Sequence, residues 1–276
     1  MSRDAAQLNI VTALPEEARP LIHCFRLKRR HDIHPFPVYE NADIQLIVSG
    51  IGKTAAATAT GYLARQHAEQ RYTAWLNIGI AGGKQFDTGQ CLLAHQVTDS
   101  DQQRNYYPTL WFDNTLKTAR VFTANVPETN YGDDALYDME AAAFYGAAMH
   151  FSTVELIHCC KIVSDNREVT IDQITSSSVV NSIEQNLKPI QQLVEQLLRG
   201  AGRLNDDFRG QDELEILRDR YHFTTVQQSQ LNTILQKWFA LTDQSPLQLL
   251  DLEGIKNAKR LLQELDTRLN EFPVHY

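Results

Sequence analysis

Val48-Ser-Gly-Ile-Gly-Lys53 decides the fold. It joins the apolar run Ile44–Val48 to a segment, Thr54–Glu69, that carries Ala, Leu and Tyr at helical spacing, so it reads as the tight turn of a strand-to-helix unit. Further segments also follow or flank apolar runs: Ala13-Leu-Pro-Glu-Glu17, Asn77-Ile-Gly-Ile-Ala-Gly-Gly83, and Asp138-Met-Glu140 with Ser164-Asp-Asn166 downstream. Together they put turns, backbone amides and separable carboxylates at one end of a sheet, which is the layout of a binding site.

Outward from these segments, Leu8–Leu14, Ile44–Val48, Trp75–Ile78, Cys91–Val97, Ala119–Thr123 and Leu156–Val163 are short apolar runs mostly bounded by Gly, Pro, Asn or Asp, and are expected to be strands. Ala-rich Asp138–His150 is expected to be a helix, as is Ser178–Leu198, with Val180, Ile183, Leu187, Ile190, Val194 and Leu198 on one face and a kink at Pro189. Strands alternating with helices predict an α/β layered domain over residues 1–200. Gly200–Gly210 mixes glycine with charge and reads as a connector. Beyond it the pattern is purely helical. Thr225 is placed to cap a helix carrying Leu231, Ile234, Leu235 and Trp238, Ser245-Pro246 has the signature of a new start, and Leu262, Leu265 and Leu269 form another stripe. Residues 201–276 are therefore expected to be a small all-helical C-terminal appendage.

Bulk properties narrow the function. A chain of 276 residues that is 43% hydrophobic can bury a sizeable core. A net charge of −8 offers no basic face for a phosphate backbone, which argues against a nucleic-acid partner. No run approaches the ~18 apolar residues of a membrane span. Met1–Gln7 has no apolar core of a signal peptide, so a cytoplasmic location is expected. Cys24, Cys91, Cys159 and Cys160 lack metal-ligand spacing, and Cys159-Cys160 inside the largely apolar run Val154–Val163 read as buried thiols.

Glycines at 50, 52, 79, 82 and 83 let the main chain approach a ligand without a Cβ in the way. The dinucleotide fingerprint is absent, because no third glycine stands in register and no acidic residue ends the second strand; Lys53 likewise lacks the phosphate-loop frame. The order and context of Val48–Lys53, Asp138-Met-Glu-Ala-Ala142 and Ile162-Val-Ser-Asp165 resemble the nucleoside phosphorylase and nucleosidase superfamily over residues 8 to about 200. The match is nearest to the methylthioadenosine/S-adenosylhomocysteine nucleosidases. This resemblance implies a three-layer, phosphorylase-like α/β domain with a central mixed sheet, a small-molecule purine nucleoside as ligand, no cofactor or metal, and a homodimer.

Carried over residue by residue, the resemblance makes Asp165 the general acid toward purine N7. Ser164 and Asn166 are candidates for orienting it. Glu140 becomes the carboxylate that accepts the ribose hydroxyls, Met139 packs beneath the sugar, and Gly82 and Ile51 are further substrate contacts. Glu17 becomes the holder of the attacking water, preferred by register over Glu16. If Asp138–His150 is helical throughout, Asp138 and Glu140 lie ~200° apart and only one faces the ligand; a solvated helix start suits Asp138 better. Asn125 lies where it is expected to read a purine edge.

Two departures qualify the resemblance. The bacterial purine phosphorylases hold phosphate with an arginine and a serine around the segment equivalent to Asn77–Ile80, and this chain has neither there. Water is therefore the expected nucleophile, with Arg19 keeping a phosphorylase alternative open and a silent nucleoside-binding module as the non-enzymatic rival. Between Gly83 and Asp138 the chain is shorter than in the nucleosidases. The aromatic cluster Tyr106-Tyr107-Pro108 with Trp111-Phe112 in that stretch is assigned to core or interface packing ahead of base stacking. The helical appendage is expected to pack on itself or dock, with a protein partner as a further option.

Overall fold

The computed structural model describes residues 8–31, 36–65, 72–112, 115–128, 131–132, 134–206, 210–242, 244–250 and 252–272. Within them, ten strands join in one mixed sheet: β1 (Leu8–Thr12), β2 (Lys28–Arg29), β3 (Val38–Glu40), β4 (Ile44–Val48), β5 (Ala74–Gly83), β6 (Cys91–Asp99), β7 (Arg104–Tyr106), β8 (Lys117–Thr123), β9 (Leu136–Asp138) and β10 (Ile157–Asp165). Every apolar run expected to be a strand forms one. β2, β3, β7 and β9 have two or three residues each, too few to carry a period-2 pattern.

β1 and β4 are buried at every position, as strands covered by helices on both faces must be. β5 is the hub. It runs parallel to β1 from Leu8↔Ala74 to Val11↔Asn77 and parallel to β10 from Trp75 to Gly82, while Gly82 and Gly83 pair antiparallel with Tyr137 and Leu136 of β9. Because β10 also pairs with β6, β6 with β8, and β8 with β9, these five strands close on themselves. The carboxyl ends of β1, β5 and β10 emerge on one edge, the place where open α/β sheets bind ligands.

The helices are α1 (Pro15–Cys24), α2 (Lys53–Ala64), α3 (Ala141–Ala148), α4 (Ser176–Gln185), α5 (Leu187–Asp206), α6 (Gln211–Arg220), α7 (Thr225–Leu241), α8 (Pro246–Leu249) and α9 (Ala258–Leu269). Ala56, Ala59 and Leu63 of α2 and Phe144, Tyr145 and Ala148 of α3 pack with Val11, Ile47, Trp75, Ile157 and Cys159. α1 packs against β1, β4, β5 and α4, and α4 against β10. Cys159 and Cys160 are fully buried thiols in β10.

Four local expectations are corrected. Asp138–His150 is not one helix: Asp138 ends β9, held in parallel register with Thr123, and α3 starts only at Ala141, so sheet pairing overrides the local Ala-rich preference. Ser178–Leu198 is two helices, broken at Asn186. Pro189 sits in the first turn of α5, where a missing N–H leaves no hydrogen bond unmade, and marks a start instead of a kink. Gly200 and Gly202 do not open a connector, since α5 continues to Asp206; residues 207–209 lie outside the described ones. Gly200 is needed because a Cβ there would stand 2.4 Å from the Trp111 ring. Thr224, not Thr225, caps α7, its Oγ1 accepting from Gln227 N at 3.3 Å. Of the helix expected over Thr54–Glu69, residues 66–69 lie outside the described ones, as do Met1–Gln7.

The chain divides into two compact units, Met1–Arg203 and Leu204–Tyr276. The second has its own core, in which Leu217, Leu231, Leu235, Trp238, Leu261 and Leu265 are fully buried and the Trp238 indole donates to Gln244 O at 2.8 Å.

Candidate active site

Two glycines of β5 make room for two carboxylates. A Cβ at Gly79 would stand 2.8 Å from Glu17 Oε1, and one at Gly82 would stand 2.6 Å from Asp165 Oδ2. Bare backbone at both points lets acidic side chains from other segments lie against the strand.

Glu17 gets there because Pro15 starts α1 and Leu14 is its N-cap, which makes Glu17 the third helical residue, able to fold back over the helix start. Its Oε2 accepts from Ala13 N at 2.8 Å and Leu14 N at 2.9 Å, and its Oε1 from Ile80 N at 2.9 Å. The side chain is buried, not the exposed first-turn glutamate that its position also allows. Burial pushes its carboxyl above the usual range, against the pull of the three amides and of Lys161. Glu16 points elsewhere and accepts from Ser176 Oγ at 3.3 Å.

Glu140 is the residue before α3. Its Oε1 accepts from Gly52 N at 2.7 Å, across a turn in which Gly50 and Gly52 have φ of 85° and 100°, values that favour glycine. Burial raises its carboxyl to about 7, helped by Asp138 and opposed by Lys161 and the Gly52 amide. Asp138 is also buried, so the solvated helix-start reading is corrected. It pairs with Lys161 Nζ at 2.7 Å and accepts from Thr123 Oγ1 at 2.7 Å and Ala141 N at 2.8 Å. Burial alone would lower the Lys161 ammonium, but Asp138 and Glu140 outweigh it and keep it charged. Asp165, at the end of β10, is buried and accepts one hydroxyl on each oxygen, from Ser164 on Oδ1 and from Tyr131 on Oδ2.

Glu17, Glu140, Asp165, Ser164, Met139, Gly82 and Ile51 all line one cavity of about 260 Å³, closed further by Leu14, Ile80, Tyr137 and Ile174. Asp138 lines it too, so both acidic residues of Asp138-Met-Glu140 face the same space: the strand-to-helix turn between them removes the helical phase that would separate them.

No protein-family model and no curated protein matches the chain. Solved structures do. A methylthioadenosine/S-adenosylhomocysteine nucleosidase from Colwellia psychrerythraea, in complex with adenine, superposes with a TM-score of 0.53 at 19% identity, covering 71% of this chain and 96% of that one. The Campylobacter jejuni nucleosidase gives 0.56 at 14% identity over 70% and 100%, and a futalosine hydrolase mutant of Helicobacter pylori 0.54 at 14% over 70% and 100%. The chain shares the fold of these nucleosidase and hydrolase structures.

Several expected contributors fall outside the cavity. Asn125 is exposed, donates to Asp101, which with Asp99 holds Lys53 Nζ at 2.6 and 2.7 Å, and does not line the cavity. Asn166 donates to Phe86 O at 3.0 Å and accepts from Glu168 and Val169 amides, stapling its own turn instead of orienting Asp165. Arg19 is exposed and does not line the cavity. Tyr106 packs on Tyr145 with ring centroids 5.2 Å apart, and Trp111 donates to Glu155 O at 2.7 Å, so these two aromatics serve packing.

Lys161, Thr123 and Tyr131 were not singled out by sequence reasoning. Lys161 had a signal, being the one charge inside the strand run Ile157–Val163; Thr123 and Tyr131 had none. Among the described residues no helix is long and apolar enough to cross a membrane, and no group of three or more His, Cys, Asp or Glu side chains is placed to hold a metal ion.

Proposed function

We propose that this chain is a nucleosidase, an N-ribosyl hydrolase that cleaves the N-glycosidic bond of a purine nucleoside such as methylthioadenosine, S-adenosylhomocysteine or 5′-deoxyadenosine, with water as the nucleophile. The observation that carries the reading is the convergence of Glu17, Glu140 and Asp165, from three distant segments, on one cavity. When the bond between the ribose and the base breaks, its electron pair leaves with the purine, and Asp165 supplies the proton that neutralises it at N7. The sugar becomes oxocarbenium-like, and Glu140 accepts its hydroxyls in bonds that strengthen as that charge develops. Glu17 orients a water toward the sugar carbon and takes its proton; a carboxyl raised by burial is a better base for this than an ordinary one.

The surroundings favour water over phosphate. Among the described residues the cavity is lined by carboxyl groups, Glu17, Asp138, Glu140 and Asp165 among them, and by no Arg, Lys or His, so a phosphate dianion would find no lining cation to hold it. The Ile80 amide is taken by Glu17, and Lys161 is paired with Asp138. Adenine bound by the Colwellia enzyme supports a purine with an exocyclic amine. Every cavity residue lies in residues 1–200, which we assign as the catalytic domain of a cytoplasmic homodimer, with 201–276 as a separate appendage open to a protein partner.

Release of free base from methylthioadenosine, S-adenosylhomocysteine, 5′-deoxyadenosine, adenosine and inosine, each with and without phosphate, tests this. Release independent of phosphate is expected. Strict phosphate dependence would make the chain a phosphorylase, and no release from any substrate would favour a binding module.

A further inference from the structure

We infer that Tyr131 is the positioning residue of Asp165, holding the carboxyl group from behind the cavity wall in the direction that faces a bound base. The inference rests on the reading of Asp165 as proton donor and adds a residue that neither motif nor chain proximity assigns to it.

The first observation is where the hydroxyl sits. Tyr131 is 4% exposed and does not line the cavity, yet it donates to Asp165 Oδ2 while Ser164 holds Oδ1. A carboxyl group gripped on one oxygen by its chain neighbour can still pivot; a second donor, 34 positions away in sequence, removes that freedom. The second is the space made for it. A Cβ at Gly82 would stand 2.6 Å from the Tyr131 hydroxyl and 2.7 Å from its ring, so the same glycine that admits Asp165 also admits the tyrosine.

The third is what holds the ring. Tyr131 has φ of 41°, in the left-handed region that a bulky side chain rarely adopts, and strain of this kind persists only where the surroundings dictate it. Those surroundings are an aromatic ladder: the Tyr131 ring lies 5.7 Å from Tyr137, which stacks at 5.8 Å on Phe122. Burial and the neighbouring Asp165 raise the Tyr131 hydroxyl, so it stays protonated and acts as a donor.

Tyr131→Phe keeps the ring and removes only the hydroxyl. In the full chain, with the nucleoside that the wild type cleaves best, kcat is expected to fall roughly ten- to a hundredfold, KM to stay within about twofold, and the alkaline limb of the kcat profile to move. Unchanged kcat and an unchanged pH profile would overturn the role. If Tyr131→Phe does not fold, 3-fluorotyrosine at position 131 strengthens the donor with little change in size. A shifted pH profile then supports the role, and an unshifted one removes it. Failure of the underlying reading looks different: a wild type that releases no base overturns both, whereas turnover abolished by Asp165→Asn but untouched at Tyr131 overturns the role of Tyr131 alone.

Discussion

At one end of the cavity Glu17 is gripped by main-chain amides of Ala13, Leu14 and Ile80; at the other Asp165 is gripped by the side-chain hydroxyls of Ser164 and Tyr131. Both lean on a glycine of β5, Gly79 for the first and Gly82 for the second. The difference is one of reversibility. An amide N–H can only donate, so it specifies an acceptor, while a hydroxyl donates or accepts as its rotor turns. The Glu17 end is therefore fixed by the fold, and the Asp165 end by side chains that can be tuned one at a time.

Amide isosteres are the strongest way to break this contrast. Asp165→Asn is expected to lower kcat by about 10²–10⁴ with stability nearly unchanged, because Ser164 and Tyr131 can turn to accept from the new NH₂. Glu17→Gln is expected to lower hydrolysis by a similar factor, far more than it weakens nucleoside binding. It should also destabilise the fold by about 1–3 kcal/mol, because its one NH₂ group must face a backbone N–H. Base release together with urea unfolding of both variants checks this; equal stability losses would dissolve the distinction between the two ends.

The glycines sharpen the comparison at smaller scale. Gly79→Ala presses on a carboxylate that cannot move without abandoning its amides, so about 1–3 kcal/mol of stability is expected to be lost. Gly82→Ala presses on Asp165 and on the Tyr131 hydroxyl that positions it, so activity should fall further than stability. Calorimetric melting beside kcat tells the two patterns apart, and a larger stability loss at Gly82 than at Gly79 would reverse the assignment.

Glu140, which lines the same cavity, gives an effect that depends on pH. Its carboxyl is raised from 4.5 to about 7 in the folded chain, so the stability it contributes is full below pH 4.5 and is lost as pH rises through about 7. Glu17 is raised in the same direction. Glu140→Gln should therefore stabilise the protein at pH 8 by about 1–3 kcal/mol and not at pH 4, while raising KM. Melting curves at the two pH values test it; a pH-independent difference would refute the sign.

Much of the site was legible because its residues belong to short segments beside apolar runs. Pro15 announces a helix start, which puts Glu17 in the first turn by register, and Ser164 adjoins Asp165 in the chain. Misreadings arose where a distant contact overrode a local preference. Asp138 reads as helical among alanines but pairs with Thr123, and Gly200 reads as a linker residue but clears space for Trp111. Tyr131 lies outside the strands and helices, with no periodicity to mark it.

The sequence by itself determined the alternation of strands and helices, the turns that end them and the carboxylates those turns carry, since these follow from backbone sterics and side-chain periodicity over a few residues. Only the tertiary structure decided the partners: Glu17 with the Ile80 amide 63 positions on, Glu140 with Gly52 across 88, and Asp165 with Tyr131 across 34. Strand register and the closing of the sheet set those meetings, and a shift of one residue in β5 would move Gly79 and Gly82 away from the carboxylates they admit.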